Sequence, residues 1–405
     1  MYVNEKMPPE KPSASTVEFH SQVPLWRDER VLRIIAQIVS AIVVFGLLYL
    51  AVINVINAAE QRGLSLSFGF LNEAAGFPIG ESDIPYDPSR SFLTAFLVGV
   101  LNTLKVSIVG IFIATILGTF VGIARLSTNW LVSRMALVYI EFHRNIPLLV
   151  LLLIWFSIFI TGLPEVAESI VLPGPIYLNQ RGMQLTWPRL TPHGTPFVIS
   201  IVLAIILAII AWIYLRRYQE RTGRSTYFAF VSLGILIALP FIGFVLSRGQ
   251  PLQADVPVLS GFNFIGGYDL SPEFAALLVG LVTYTAAFIA EVVRAGIQAV
   301  DRGQLEAARA IGLSYSQLLS LVIVPQALRI IIPPLISQYL NLTKNSSLAI
   351  FIGYPELFFI GKTTINQAGR AVQVIILIMA VYLSISLITS FILNIYNRRI
   401  QLVER

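Results

Sequence analysis

Long stretches of this chain carry no charged side chain, and their lengths predict the principal elements. Residues 34 to 59, 145 to 164, 190 to 215, 225 to 247 and 371 to 397 contain no Asp, Glu, Lys or Arg. A helix rising 1.5 Å per residue needs about 20 mostly apolar residues to cross a bilayer, so each of these runs predicts one span. Three further runs are less regular. Residues 274 to 290 lie between Glu273 and Glu291, residues 91 to 124 are interrupted only by Lys105, and residues 330 to 343 hold Pro333 and Pro334 before Lys344. The last is short enough to be re-entrant. The pattern predicts an all-α integral membrane protein with about eight transmembrane helices.

The connecting segments differ in character. Residues 1 to 33 are polar, mix both charge signs and include Pro8, Pro9 and Pro12, so they read as a flexible tail rather than a cleaved signal. Segments 57 to 91, 162 to 196 and 247 to 273 are rich in Pro, Gly and acidic residues, without periodicity long enough for a separate domain. They read as loops on the outer side.

Composition supports lipid as the solvent: 56% of residues are hydrophobic and 12% charged, where a soluble domain carries about 25% charged residues. The net charge of +6 reports orientation rather than nucleic-acid binding. Starting from a cytoplasmic amino terminus, eight spans leave 19 Lys and Arg on the cytoplasmic side and 8 outside, with Lys105 inside a span. The positive-inside rule therefore places both termini in the cytoplasm. Arg216, Arg217, Arg221 and Arg224 form the densest basic loop and read as a topology anchor. Cysteine is absent, and His20, His143 and His193 show no ligand spacing. A metal site is not expected.

Several features carry candidate chemistry. Gly110, Ala114, Gly118 and Gly122 recur every fourth residue, a ridge suited either to packing within the chain or to a subunit interface. Among ionisable residues in or beside spans, Glu291 and Arg294 stand three apart and predict a local ion pair. Lys105 sits where its stem can snorkel outward. Asn341, Thr343, Lys344, Asn345, Ser346 and Ser347 cluster after the two prolines, suiting either a wet cavity or a polar helix exit. Gly361, Lys362 and Thr363 imitate the end of a phosphate-binding loop, but Glu356 stands where that motif needs glycine. No catalytic constellation is encoded.

The most specific segment follows the sixth span. Asp301 with Gln304 resembles a capping box, Gly312 is placed to close a helix, and Ser314 with Gln317 starts a second helix that should run to Pro325. The result is an elbow between two short helices, although an ordinary linker is open on physical grounds alone. Glu306, Ala307, Ala308, Gly312, Val322, Val324 and Pro325 together resemble the EAA loop of ABC-importer permeases, with valines where that family often has Ile and Leu. Glu291, Arg294, Gly303 and Gln304, the run Pro325 to Arg329, Asn102 with Thr103, and Arg144 followed by Pro147, Leu148 and Leu149 are similar to the polar amino-acid branch.

That resemblance implies a type I importer permease fold with extra helices, closest to the larger general L-amino-acid type. It covers about residues 92 to 160 and 273 to 400 as two parts of a permease core, the second holding a cytoplasmic coupling loop at 294 to 325. Outside it lie an additional span at 34 to 56 and an inserted stretch at 162 to 272, comprising outer loops and a transmembrane hairpin. The implied partners are an ATP-binding subunit dimer carrying ATP and Mg, a second permease subunit forming a heterodimer, a periplasmic amino-acid-binding protein and an L-amino-acid substrate. The implied location is the bacterial inner membrane. No cofactor is expected in this chain. Asn102, Thr103, Asn341, Lys344 and Asn345 are the candidate substrate-pathway residues, because a zwitterion needs a cation for its carboxylate and polar acceptors for its ammonium. A secondary, ion-coupled transporter is the alternative, and would need carboxylates deep in the bundle.

Overall fold

The computed structural model describes residues 29 to 61 and 67 to 400. The expected tail falls outside these residues up to position 28, while positions 29 to 33 already belong to the first helix. The described residues up to 67 belong to one unit and those from 68 to another. The first unit contributes α1 (Glu29–Gln61), a 33-residue helix that contains the first predicted span.

In the second unit, α2 (Phe92–Arg125) begins at Ser91, whose side chain accepts a hydrogen bond from the Thr94 amide. It packs along α7 (Pro272–Gln298) through the small-residue ridge. A Cβ on Gly118 would stand 2.7 Å from Ile289, and one on Gly122 would stand 2.7 Å from the Ala290 carbonyl. Gly110 faces Leu342 of α10 (Val324–Asn345). The ridge therefore serves packing within the chain. Leu277, Leu281, Ile289 and Leu342 are fully buried along this seam.

Two predicted spans need correction. The run at 145 to 164 holds only the short α4 (Leu148–Thr161), which α3 (Trp130–Asn145) precedes at a bend of 107°. The break falls at Pro147: Ile146 before it adopts extended backbone, the region a residue preceding proline favours. The fourteen residues of α4 reach only about 21 Å. Conversely, the proline-containing run at 330 to 343 is no short or re-entrant piece. Pro333 and Pro334 lie inside α10, and a continuous path from Tyr315 to Phe351 is long and apolar enough to span. Proline fixes a helical φ and loses its own amide bond without forcing an end, which membrane helices tolerate. With the bent pair counted as one, eight spans are available among the described residues.

The inserted stretch departs most from expectation. Its two flanks, predicted as irregular loops, form short antiparallel strands: β1 (Ile170–Leu172), β2 (Ile176–Asn179), β3 (Gly182–Leu185) and β4 (Trp187–Leu190), then β5 (Leu252–Asp255), β6 (Val258–Ser260), β7 (Asn263–Ile265) and β8 (Tyr268–Leu270). Between them run α5 (Thr195–Thr222) and α6 (Phe228–Leu246), the expected hairpin. They make three small sheets, β1-β2-β3-β8, β4-β5 and β6-β7; the first two pair across the hairpin, Leu185 with Tyr268 and Trp187 with Asp255, and tie the two flanks into a strand platform. Strands of three or four residues cannot display an alternation that sequence would reveal.

The chain ends in α11 (Leu357–Ala368) and α12 (Ala371–Ile400). Leu357 and Ile360 of α11 join Phe70, Phe77, Phe92 and Phe96 in a second core at the strand-bearing end of α2.

Candidate functional site: an exposed elbow, a polar helix face and an ionic strap

At the opposite end, α7 leads into α8 (Arg302–Ala310) and then α9 (Tyr315–Gln317). The Asp301 carboxylate caps α8 by accepting from the Gly303 amide at 2.6 Å, while Gln304 does not return the side-chain bond of a full capping box. The helix closes as a Schellman motif: Leu313 donates to the Ala308 carbonyl at 3.1 Å and Gly312 to that of Arg309 at 3.0 Å. Gly312 has φ of +80°, the left-handed conformation this closure needs. Ser314 and Gln317 make a reciprocal capping box for α9. From there the backbone does not stop at Pro325. Residues Leu318–Ile323 form a π-type turn that passes directly into α10, with Pro325 in its first turn. The wider turn absorbs the amide bond that Pro325 cannot make.

Within this elbow only Ala308 and Leu318 are buried, and Leu305 and Leu313 half-buried. Glu306, Ala307 and Gly303 face outward. So do Ile311, 77% exposed, and Tyr315, 72% exposed. These two were missed by motif reasoning, and their signal is an apolar residue on each side of the helix-closing glycine. Val322 and Pro325 are half-buried and Val324 exposed along the connection. Behind the elbow, Arg294 Nη2 donates to Glu291 Oε2 at 2.7 Å and Nη1 donates to Gln298 Oε1 at 2.6 Å. This pair braces the end of α7.

The candidate pathway residues separate into two groups. On α10, Asn341 and Lys344 are exposed on the same face as Pro334 and Ser337, whereas Leu342 and Thr343 turn into the core. Asn345 is half-buried at the helix end. No side-chain partner engages Lys344 among the described residues. Asn102 and Thr103 are instead fully buried. The Asn102 amide donates to the carbonyls of Glu81 at 3.0 Å and Pro355 at 2.9 Å, and Thr103 Oγ1 accepts from the Leu357 amide at 3.1 Å. They hold the turn that starts α11, which Glu356 caps by accepting from Phe358 and Phe359 amides while Tyr382 donates to it.

Lys105 does not snorkel to solvent. Its Nζ donates to Glu81 Oε1 at 2.6 Å and lies 3.4 Å from Asp83 Oδ1. Ser271 donates to the other Glu81 oxygen, and Tyr268 donates to Asp83, each at 2.6 Å. Burial, followed by the bond to Asp83, holds the Tyr268 phenol above its ordinary pKa. It therefore stays a donor at any physiological pH. The segment 81 to 83 thus straps α2 to the strand platform. A lysine on a membrane-spanning helix demands a counter-charge, and the nearest acidic residues on the preceding outer segment were the available signal.

Fold and elbow together define a multi-span helical membrane protein that carries a capped, exposed elbow between α8 and α9. The chain belongs to the family described as binding-protein-dependent transport system inner membrane component, whose profile matches residues 200 to 402. Over 381 residues it is 43% identical to the general L-amino acid transport system permease protein AapQ of Rhizobium johnstonii, covering 93% of this chain and 94% of that protein. It is 44% identical to the putative amino-acid ABC transporter permease protein YhdX of Escherichia coli, covering 91% and 94%. It is also 40% identical to the glutamate/glutamine/aspartate/asparagine transport system permease protein BztB of Rhodobacter capsulatus, covering 85% and 88%. The chain is a permease subunit of a multi-pass inner-membrane importer and not itself an enzyme.

Proposed function

We propose that this permease subunit carries L-amino acids inward, using ATP and Mg bound on a dimer of separate ATP-binding subunits. The observation that carries the reading is the elbow at Arg302 to Gln317, closed by two defined caps yet exposing Ile311 and Tyr315 to water. Apolar residues held rigidly outside the bilayer fit a groove on a partner. Closure of the ATP-binding dimer would displace the elbow, and the direct passage from α9 through the π-type turn into α10 would pass that motion into the membrane. Glu306, Ala307, Ala308 and Gly312 then form the docking element, with Glu291, Arg294, Gly303, Gln304, Val322, Val324 and Pro325 setting its position.

The uncovered polar face of α10 supports a second permease subunit across the pathway. In this reading Asn341, Lys344 and Asn345 line the passage, and Asn102 and Thr103 stand behind it holding the turn before α11. A periplasmic binding protein delivers substrate at the strand-bearing side, with both termini cytoplasmic. The names of the relatives support amino acids as the substrate class. The ion-coupled alternative loses ground, because Glu291 is engaged by Arg294 and Glu356 by its helix cap.

The absence of cysteine permits a direct test: Ile311→Cys, paired with single cysteines in the groove of the ATPase, should cross-link in membranes. Cross-linking should change when ATP is trapped. No cross-link from Ile311→Cys at any groove position, with the ATPase co-purifying normally, would refute the docking role. Reporter fusions after Gly223 should score cytoplasmic, and fusions near Ala254 and Ile365 periplasmic.

A further inference from the structure

We infer that the crevice beside the ionic strap is a binding site for a phospholipid bearing a primary-amine headgroup. Depth is the first argument. Lys105 and Arg125 stand twenty residues apart on α2, as do Phe274 and Arg294 on α7, and twenty residues span about 30 Å, the hydrocarbon thickness of a bilayer. Lys105 and Phe274 are also in contact, with Nζ 4.9 Å from the ring centre. Both helices therefore mark the same membrane boundary at the level of this crevice.

The lining is the second argument. A cavity of about 680 Å³ opens between the strand platform and the two helices. Val109 and Leu278, one helical turn inward from Lys105 and Phe274, line it with apolar surface that suits the upper part of an acyl chain. Trp187 stacks on Tyr268 at 4.7 Å between ring centres, and both residue types are enriched at headgroup depth.

Charge is the third. Glu81, with its side chain 10% exposed, neutralises Lys105 at 2.6 Å. Asp83 is 36% exposed, lies farther from Lys105 at 3.4 Å, and meets both Lys105 and Tyr268 through Oδ1. Lys105 Nζ already covers the Tyr268 and Phe274 rings, so the strap offers one surplus negative charge at the more exposed Asp83 carboxylate, which matches an ammonium group. An ethanolamine headgroup supplies that ammonium, with its acyl chain lying on Val109 and Leu278. This site is separate from the α10 face, so it stands whether or not the transport reading holds.

The test uses the full chain purified in mild detergent and equimolar phosphatidylethanolamine, phosphatidylcholine and phosphatidylglycerol, read by native mass spectrometry. Phosphatidylethanolamine should be retained about tenfold over phosphatidylglycerol, as one charge-assisted hydrogen bond allows. Asp83→Asn should abolish the preference, and the exposed control Asp87→Asn should keep it. Val109→Trp fills the chain groove without touching the charges and should also lose retention, which decides the matter if Asp83→Asn does not fold. Equal retention of the three lipids, or variants that bind like the parent, would overturn the proposal. Displacement of the lipid by free amino acids would overturn it too, marking the crevice as a vestibule for solute.

Discussion

Replacing Gly312 isolates the elbow from the rest of the fold. Its φ of +80° is the left-handed region, and a Cβ added there would meet nothing within 4 Å. A larger residue therefore causes no clash, and the whole cost is conformational. An L-residue in this region costs about 1–2 kcal/mol, most for β-branched side chains and least for asparagine. If the residue escapes the strain by leaving the left-handed region, the closing bonds from Leu313 and Gly312 amides are lost instead, at about 1 kcal/mol each. At 1.4 kcal/mol per factor of ten, the docking-competent elbow should be depleted by up to about 5-fold for Gly312→Ala and about 30-fold for Gly312→Val. Gly312→Asn should lie nearest the parent. The assay is ATP hydrolysis by the purified complex in nanodiscs, stimulated by substrate-loaded binding protein, together with the affinity of the ATPase for the permease. Membrane insertion should be unchanged in all three, since the site is outside the bilayer. Parental stimulation and affinity in Gly312→Val would refute the argument, as would equal defects in the Asn and Val variants.

The other predictions concern packing, charge and the pathway. Lys105→Met leaves Glu81 and Asp83 without their cation and should destabilise the second unit by about 3 kcal/mol in thermal unfolding; adding Glu81→Gln should recover part of the loss, and independent, additive effects would count against a coupled strap. Gly118→Leu places its side chain against Ile289, where a Cβ alone would stand 2.7 Å away, so the α2 and α7 seam should open at a cost of about 1–3 kcal/mol. An unaltered melting temperature would mean the two helices are not in close contact. Lys344→Met should lower amino-acid uptake while abundance and complex assembly stay normal; unchanged uptake kinetics would remove Lys344 from the pathway.

Much of this protein is determined by local sequence. Uncharged runs of bilayer length located the helices, because lipid penalises every exposed charge and unsatisfied backbone group wherever it falls. Caps and closing glycines act within four residues, so Ser314, Gln317 and Gly312 announced the elbow before any tertiary contact was known. The same locality sets the boundary of what could be read. Whether the chain bends by 107° at Pro147 while Pro333 and Pro334 stay within a helix depends on what packs around each break. The strands join residues separated by the whole α5 and α6 hairpin, as Trp187 joins Asp255, and no periodicity in three or four residues foretells such pairing. Lys105 announced only that it needed a counter-charge. Its choice of Glu81 and Asp83, and the division of Asn102 and Thr103 from Asn341 and Lys344, were decided in three dimensions, because burial and ion pairing are properties of neighbours that the chain brings together only on folding.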